Sequence, residues 1–261
     1  MNIIYKGASI FYQVQGQGRP LVLLHGFLEN SQMWDAFLPI LTETHQVICI
    51  DLLGHGQSEC VGYVHSMEEM SQVVHAVIDI LQLNDITIIG HSMGGYVACA
   101  FANAYPDLMH AICLLNSTTD PDTPDRKSLR KRANKMAQTQ YEQLIRMSFV
   151  NLFDPEAKVQ QADAIDAALC QALKTPLQGY MAANEGMTKR KDQNKFWAQT
   201  PCIKGMILGT NDWIINAKDH QYRFTPMTDF FVNIESGHMS HISNSAATLD
   251  AIQHFLSLKK Q

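Results

Sequence analysis

Ile86-Thr87-Ile88-Ile89-Gly90-His91-Ser92-Met93-Gly94-Gly95 runs directly into Tyr96-Val97-Ala98-Cys99-Ala100-Phe101. The opening residues are β-branched and apolar, which suits an extended strand. The closing residues are mostly small and fit a closely packed helix. Between them lies Gly-x-Ser-x-Gly, and strand, sharp turn and helix are the context in which that pattern exposes a serine at a strand end. Side chains at Gly90 and Gly94 would collide with neighbouring backbone, and glycine tolerates the dihedrals a tight turn needs. Ser92 is therefore the candidate nucleophile, and the remaining residues must supply a base and a group to orient it.

The composition sets the bounds. A chain of 261 residues can bury a sizeable core. With 46% hydrophobic and 17% charged residues it has a globular rather than a disordered composition. A formal net charge of -5 gives no reason to expect nucleic acid or an anionic membrane as partner. Met1-Asn2-Ile3-Ile4-Tyr5-Lys6 shows no basic segment followed by a long apolar run, so no secretory signal is expected. No apolar stretch approaches the roughly 20 residues that span a bilayer. Cys49, Cys60, Cys99, Cys113, Cys170 and Cys202 form no C-x-x-C pair and read as small hydrophobes rather than metal ligands or disulfides. A reduced, cytoplasmic protein is the expectation.

Ile3–Tyr5 and Ile10–Gln15 read as an antiparallel hairpin, and Leu21-Val22-Leu23-Leu24 as a strand covered on both faces. The spacing of Trp34, Phe37, Leu38 and Leu41 predicts a helix over 34–42. A strand over 46–50 follows, then a helix opened by the capping box Ser66-Met67-Glu68-Glu69. After the Ser92 segment, Ala111–Leu115 is another buried strand. Alternation then stops, and residues 118–194 show four helical patterns, two of them starting at Asp154-Pro155 and Thr175-Pro176. It resumes with strands over 202–208 and 229–232 and a last helix over 245–258. This predicts an α/β core over 1–117 and 195–261, with a mostly parallel sheet and helices on both faces, interrupted by a four-helix cap over 118–194. In such sheets the ligand lies beyond the carboxyl ends of the strands. His25-Gly26-Phe27, Asp51, Ser92, Asn116 and the segment after Leu208 all follow strand ends, so they converge on one edge.

Leu208-Gly209-Thr210-Asn211-Asp212-Trp213 follows one late strand, and Glu235-Ser236-Gly237-His238 follows the next. The assignment is Ser92 as nucleophile, His238 as general base and then acid, and Asp212 as the carboxylate that fixes the imidazole tautomer. His238 is preferred to His241 because Gly237 lets the loop turn back toward Ser92, and Asp120 is the alternative acid. The oxyanion formed on attack needs two N–H donors, assigned to the backbone of Met93 and Phe27. His25, His55 and His91 read as loop-shaping hydrogen-bonders.

These motifs, in this order and spacing, resemble the α/β-hydrolase superfamily in its small, cap-bearing, esterase-like branch. The resemblance rests on His25-Gly26-Phe27, Asp51–Ser58, Gly90–Gly94, Gly209–Asp212 and Gly237-His238, and covers the core; the cap matches in position and helical character only. It implies a serine hydrolase that cleaves a small carboxylic ester through an acyl-enzyme, without cofactor or metal. The same triad also serves lactone hydrolysis, carbon–carbon bond hydrolysis and perhydrolysis. A lyase of menaquinone synthesis is similar around His-Gly-Phe and Gly-x-Ser-x-Gly, but usually has an arginine where this chain has Tyr96. Hydrolase-like signalling receptors keep the triad and use the cap to bind a partner.

Phe27, Tyr141, Phe149, Tyr180 and Trp213 are the candidate substrate-binding residues, and they favour an ester with an apolar portion. Arg126, Lys127, Arg130, Lys131, Arg132 and Lys135 lie close together on the first cap helix. They read as a solvated face, the alternative being a docking surface for an acidic or carrier-linked partner.

Overall fold

The computed structural model describes residues 1–259. β1 (Asn2–Tyr5) and β2 (Ala8–Gln15) form the expected hairpin. β3 (Arg19–Leu24) leads through a 3-10 turn at Ser31–Trp34 to α1 (Leu38–Leu41) and β4 (His45–Ile50). α2 (Met67–Ile80), β5 (Ile86–His91), α3 (Met93–Ala104) and β6 (Met109–Leu115) follow. Then come α4 (Pro124–Val150), α5 (Pro155–Gln160), α6 (Ala162–Ala172), α7 (Leu177–Thr188) and α8 (Asn194–Gln199) without an intervening strand. β7 (Ile203–Gly209), α9 (Ala217–Phe224), β8 (Phe230–Ile234), α10 (Ser240–Ser243) and α11 (Ser245–Leu256) complete the chain.

The 34–42 helix is a correction. Pro39 lies in the first turn of α1, and a proline further inside a helix would lack its N–H and clash with the preceding turn. Pro39 thus sets where the helix can begin, and α1 covers Leu38–Leu41. The apolar stripe is buried all the same, through Trp34, Phe37, Leu38 and Leu41.

Among the described residues the sheet has eight strands in the order β1-β2-β4-β3-β5-β6-β7-β8. Only β1 and β2 run antiparallel to their neighbours; the pairs from β4 through β8 are parallel. Because side chains alternate along a strand, β3 feeds two cores. Val22 and Leu24 pack with α2 and α3 on one face, against Val73, Val77, Val97 and Phe101. Leu21 and Leu23 pack on the other with Trp34, Phe37, Ile252 and Phe255. The helices between β6 and β7 carry their own apolar cluster, built on Leu144, Ile145, Phe149, Ile165 and Leu169 and joined to the loops above the sheet by Leu28 and Met239. The strand order reverses between β3 and β5, which is where a doubly wound sheet opens a crevice. Among the described residues no helix is long and apolar enough to cross a membrane.

Candidate active site

Ser92 stands between β5 and α3 at φ 47° and ψ -113°, a conformation that L residues rarely adopt and that a fold must enforce. The packing around it does so. A Cβ at Gly90 would lie 2.3 Å from the Gly94 carbonyl oxygen, and one at Gly94 would lie 2.4 Å from that of Leu24. The Ser92 N–H donates to Leu115 O at 3.0 Å, and the Ser117 hydroxyl donates to Ser92 O at 2.7 Å. The turn is thus clamped on both sides with its Oγ raised above the sheet.

His238, in the loop between β8 and α10, brings Nε2 to 2.9 Å from Ser92 Oγ and Nδ1 to 2.7 Å from Asp212 Oδ2. Gly209 lets the two loops meet, since a Cβ there would come within 2.3 Å of Gly237 O. Asp212 accepts further N–H bonds on Oδ1 from Ile214 at 2.7 Å and Ile215 at 3.0 Å. Burial pushes the Asp212 carboxyl up, but His238, the Ile215 N–H and Asn116 outweigh it and hold the group below the usual aspartate range. Asn116 bridges the acid and the histidine loop: its Nδ2 donates to Asp212 Oδ2 at 3.1 Å and to Gly237 O at 3.3 Å.

Asp120, the alternative acid, lies elsewhere, with Arg223 Nη2 at 2.7 Å and Asn194 Nδ2 at 3.0 Å from Oδ1. Met93 is the first residue of α3, so its N–H has no intrahelical acceptor. Phe27 lies in the loop after β3, which His25 shapes by contacting Gly26 O through Nδ1 at 2.7 Å and accepting from Leu52 N–H through Nε2 at 2.8 Å.

The cavity above Ser92 has a volume of about 420 Å³. Phe27, Phe149, Tyr180 and Trp213 line it, together with Leu28, Tyr96, Met187 and Met239. Trp213 stands at the mouth, 67% exposed, with its indole N–H donating to Asn151 O at 2.7 Å. Tyr141 is a correction: it stands behind the lining, its hydroxyl donating to Thr175 O at 2.5 Å and its ring edge-on to Tyr180. A tyrosine hydroxyl in apolar surroundings seeks the nearest free carbonyl, and this one turned away from the cavity to find it.

Glu29, His91 and His241 form a cluster that the motif reading missed. Glu29 Oε2 accepts from Gly26 N–H at 2.8 Å and contacts His91 Nδ1 at 2.6 Å, while Oε1 meets His241 Nε2 at 3.1 Å. His91 Nε2 lies 3.0 Å from His238 O. Burial opposes ionisation of Glu29, but the two histidines hold its carboxyl well below the usual range. Burial likewise opposes protonation of His91, and Glu29 overcomes it, raising that imidazole; His241 is held low by burial. Their nitrogen and oxygen atoms lie within 4.8 Å of one another, a spacing that would suit a metal ion, but the direct hydrogen bonds fill the space between them. The available signal was positional: His91 precedes Ser92, His241 follows His238 by three residues, and Glu29 sits in the Gly26 loop.

The family model described as alpha/beta hydrolase fold matches residues 19–245. The chain belongs to that family. Among solved structures it resembles a thermophilic esterase from Thermogutta terrifontis, determined with malate bound, at TM-score 0.91 and 26% identity over 98% of this chain and 96% of that one. It also resembles the enol-lactonase from Burkholderia xenovorans LB400, at TM-score 0.91 and 19% identity over 99% and 100%. A serine hydrolase-like protein of Danio rerio is 26% identical over 92% of this chain and 82% of its own length. The chain spans about a third (31%) of the length of the Mycobacterium tuberculosis relative it matches at 33% identity over 106 residues. The likeness to these solved structures agrees with the fold of that family.

Proposed function

We propose that this hydrolase cleaves a small carboxylic ester through a covalent acyl-enzyme. The observation that carries the reading is the line of contacts from Ser92 Oγ to His238 Nε2, 2.9 Å, and from His238 Nδ1 to Asp212 Oδ2, 2.7 Å, at the floor of an apolar cavity. A serine hydroxyl is a poor nucleophile at neutral pH and gains its reactivity from a base within hydrogen-bond reach. Ser92 Oγ bonds to the ester carbonyl carbon as His238 takes its proton. The oxyanion lies between the Met93 and Phe27 N–H groups, each worth about 3 kcal/mol to the transition state. The carbon–alkoxide bond then breaks, and His238 passes its proton to the leaving alcohol. Water repeats the sequence and frees the acid. Asp212 keeps the Nδ1 proton in place and stabilises the imidazolium.

The test is hydrolysis of p-nitrophenyl butyrate by the wild type, Ser92→Ala and His238→Ala. Each variant should lose at least about 10³-fold in kcat. Equal rates in the three proteins would overturn the assignment.

A further inference from the structure

We infer that the ester carries a second, ionised carboxyl group, held at the α4 wall of the cavity by Arg126 with Arg130 beside it; this rests on Ser92 being the nucleophile. Arg126, Leu129, Arg130 and Ala133 line the cavity. Their spacing places them on one face of α4, with the two arginines one turn apart, about 6 Å along the axis. Ser92 lines the same space.

The positive charge on this wall exceeds the negative charge. Arg130 Nε donates to Asp122 Oδ2 at 2.6 Å, and Asp122 Oδ1 also accepts from Arg190 Nη1. One carboxylate with no exposed side-chain surface thus serves two guanidiniums, with side chains 16% and 6% exposed. Arg126 adds a further charge. Its Nη1 donates to Ile214 O at 3.0 Å, and among the described residues no carboxylate pairs with it. The nearby acids are engaged elsewhere: Asp120 by Arg223, and Glu29 by His91 and His241. Asp125, its neighbour in sequence, is exposed in the first turn of α4.

A guanidinium fork matches a carboxylate in two-point contact, and that attraction strengthens where apolar walls exclude water. The remaining lining is mostly apolar, including Phe27, Leu28, Phe149, Tyr180 and Met239, with Glu29, Ser148 and Asn184 as further polar members, and gives a polymethylene chain an apolar surface to lie on. A half-ester of a short dicarboxylic acid fits both features. Its scissile carbonyl would lie at Ser92, its methylenes along the aromatic lining and its free carboxylate at Arg126.

The experiment compares monoethyl adipate with its neutral counterpart ethyl hexanoate, following ethanol release, in wild type, Arg126→Met and Arg126→Lys. Wild type should prefer the acidic ester. The preference should fall about tenfold in Arg126→Met, chiefly through KM, and Arg126→Lys should regain part of it. Calorimetry of adipate binding reads the anion site without turnover, and Arg126→Met should weaken it by a similar factor. A preference equal in wild type and Arg126→Met, or a wild type that prefers ethyl hexanoate, overturns the proposal. If neither ester is cleaved, p-nitrophenyl butyrate hydrolysis decides the nucleophile reading, and adipate binding alone decides whether the anion site exists: binding lost in Arg126→Met supports it, and equal or absent binding overturns it.

Discussion

Glu29 ties together three segments of the site through one buried carboxylate. Its carboxylate takes the Gly26 N–H from the loop that carries Phe27, contacts His91 beside Ser92, and meets His241 from the segment after His238. His91 in turn reaches the backbone carbonyl of His238. Replacing one partner of a buried ionic cluster leaves the other uncompensated, which costs about 3 kcal/mol. Glu29→Gln should therefore lower stability by about that amount, with a distinctive pH dependence. The Glu29 carboxyl is depressed below 4.5, so its contribution is present above that value and lost as pH falls through the folded-state pKa. The His91 imidazole is raised above 6.5, so its contribution is present below 6.5 and lost as pH rises through the folded-state pKa. Denaturant melts should show the largest difference between wild type and Glu29→Gln from about pH 4.5 to 6.5, shrinking on both sides. A difference independent of pH from about 3.5 to 8 would contradict an ionised Glu29–His91 pair. Residues of this kind were not legible in the sequence, because a buried charge is recognised by its partners and these come from distant segments. That Ser92, Asp212 and His238 come together was legible because each sits in a short glycine-bearing loop at a strand end, where position alone restricts what a side chain can reach.

At the scale of elements, the helix that roofs the cavity is seated by glycines. A Cβ at Gly186 of α7 would lie 1.8 Å from the His65 carbonyl oxygen, and one at Gly179 would lie 2.1 Å from that of Gly54. Two turns of α7 thus rest directly on the backbone of the loop between β4 and α2, and the same helix presents Tyr180 and Met187 to the substrate space. Alanine in place of a helical glycine is worth up to about 1 kcal/mol in propensity. Overpacking against rigid backbone costs about 1–3 kcal/mol and prevails. Gly186→Ala should lower Tm and raise KM with a smaller change in kcat, as α7 lifts away from the loop. A wild-type Tm and KM would show that the seat is looser than described. Two helix starts with strong local signals appeared as read, whereas α7 begins at Leu177 with Pro176 rather than Thr175 at its N-cap. The Ser66 hydroxyl caps α2 by accepting from Glu69 N–H at 3.1 Å, and Asp154 caps α5 by accepting from Ala157 N–H at 2.8 Å. The 34–42 stretch differed because Pro39 vetoes what the hydrophobic spacing alone allows. The packing of α7 against the loop was not legible, since a glycine in a helical pattern says that something comes close without saying what.

At the scale of the molecule, sheet topology explains why residues spread from Gly26 to His241 share one site: the six mutually parallel strands end at the same edge, and the reversal of strand order between β3 and β5 opens the crevice beneath the α4–α8 helices. Fold class followed from the alternation of buried strands and amphipathic helices, and family membership bears it out. The basic run on α4 divides by face. Arg126 and Arg130 line the cavity, whereas Lys131, Arg132 and Lys135 are exposed and read as a solvated surface. Substrate preference was not legible because it depends on which face of a cap helix turns inward, and fold alone does not decide function. The central claim, that Ser92 is an activated nucleophile, is tested most directly by covalent capture. Intact-mass measurement after exposure to a fluorophosphonate should show one adduct per wild-type chain, located by peptide mapping on Ser92. The adduct should be absent in Ser92→Ala and formed far more slowly in His238→Ala. An unlabelled wild type, or a label that persists in Ser92→Ala, would contradict it.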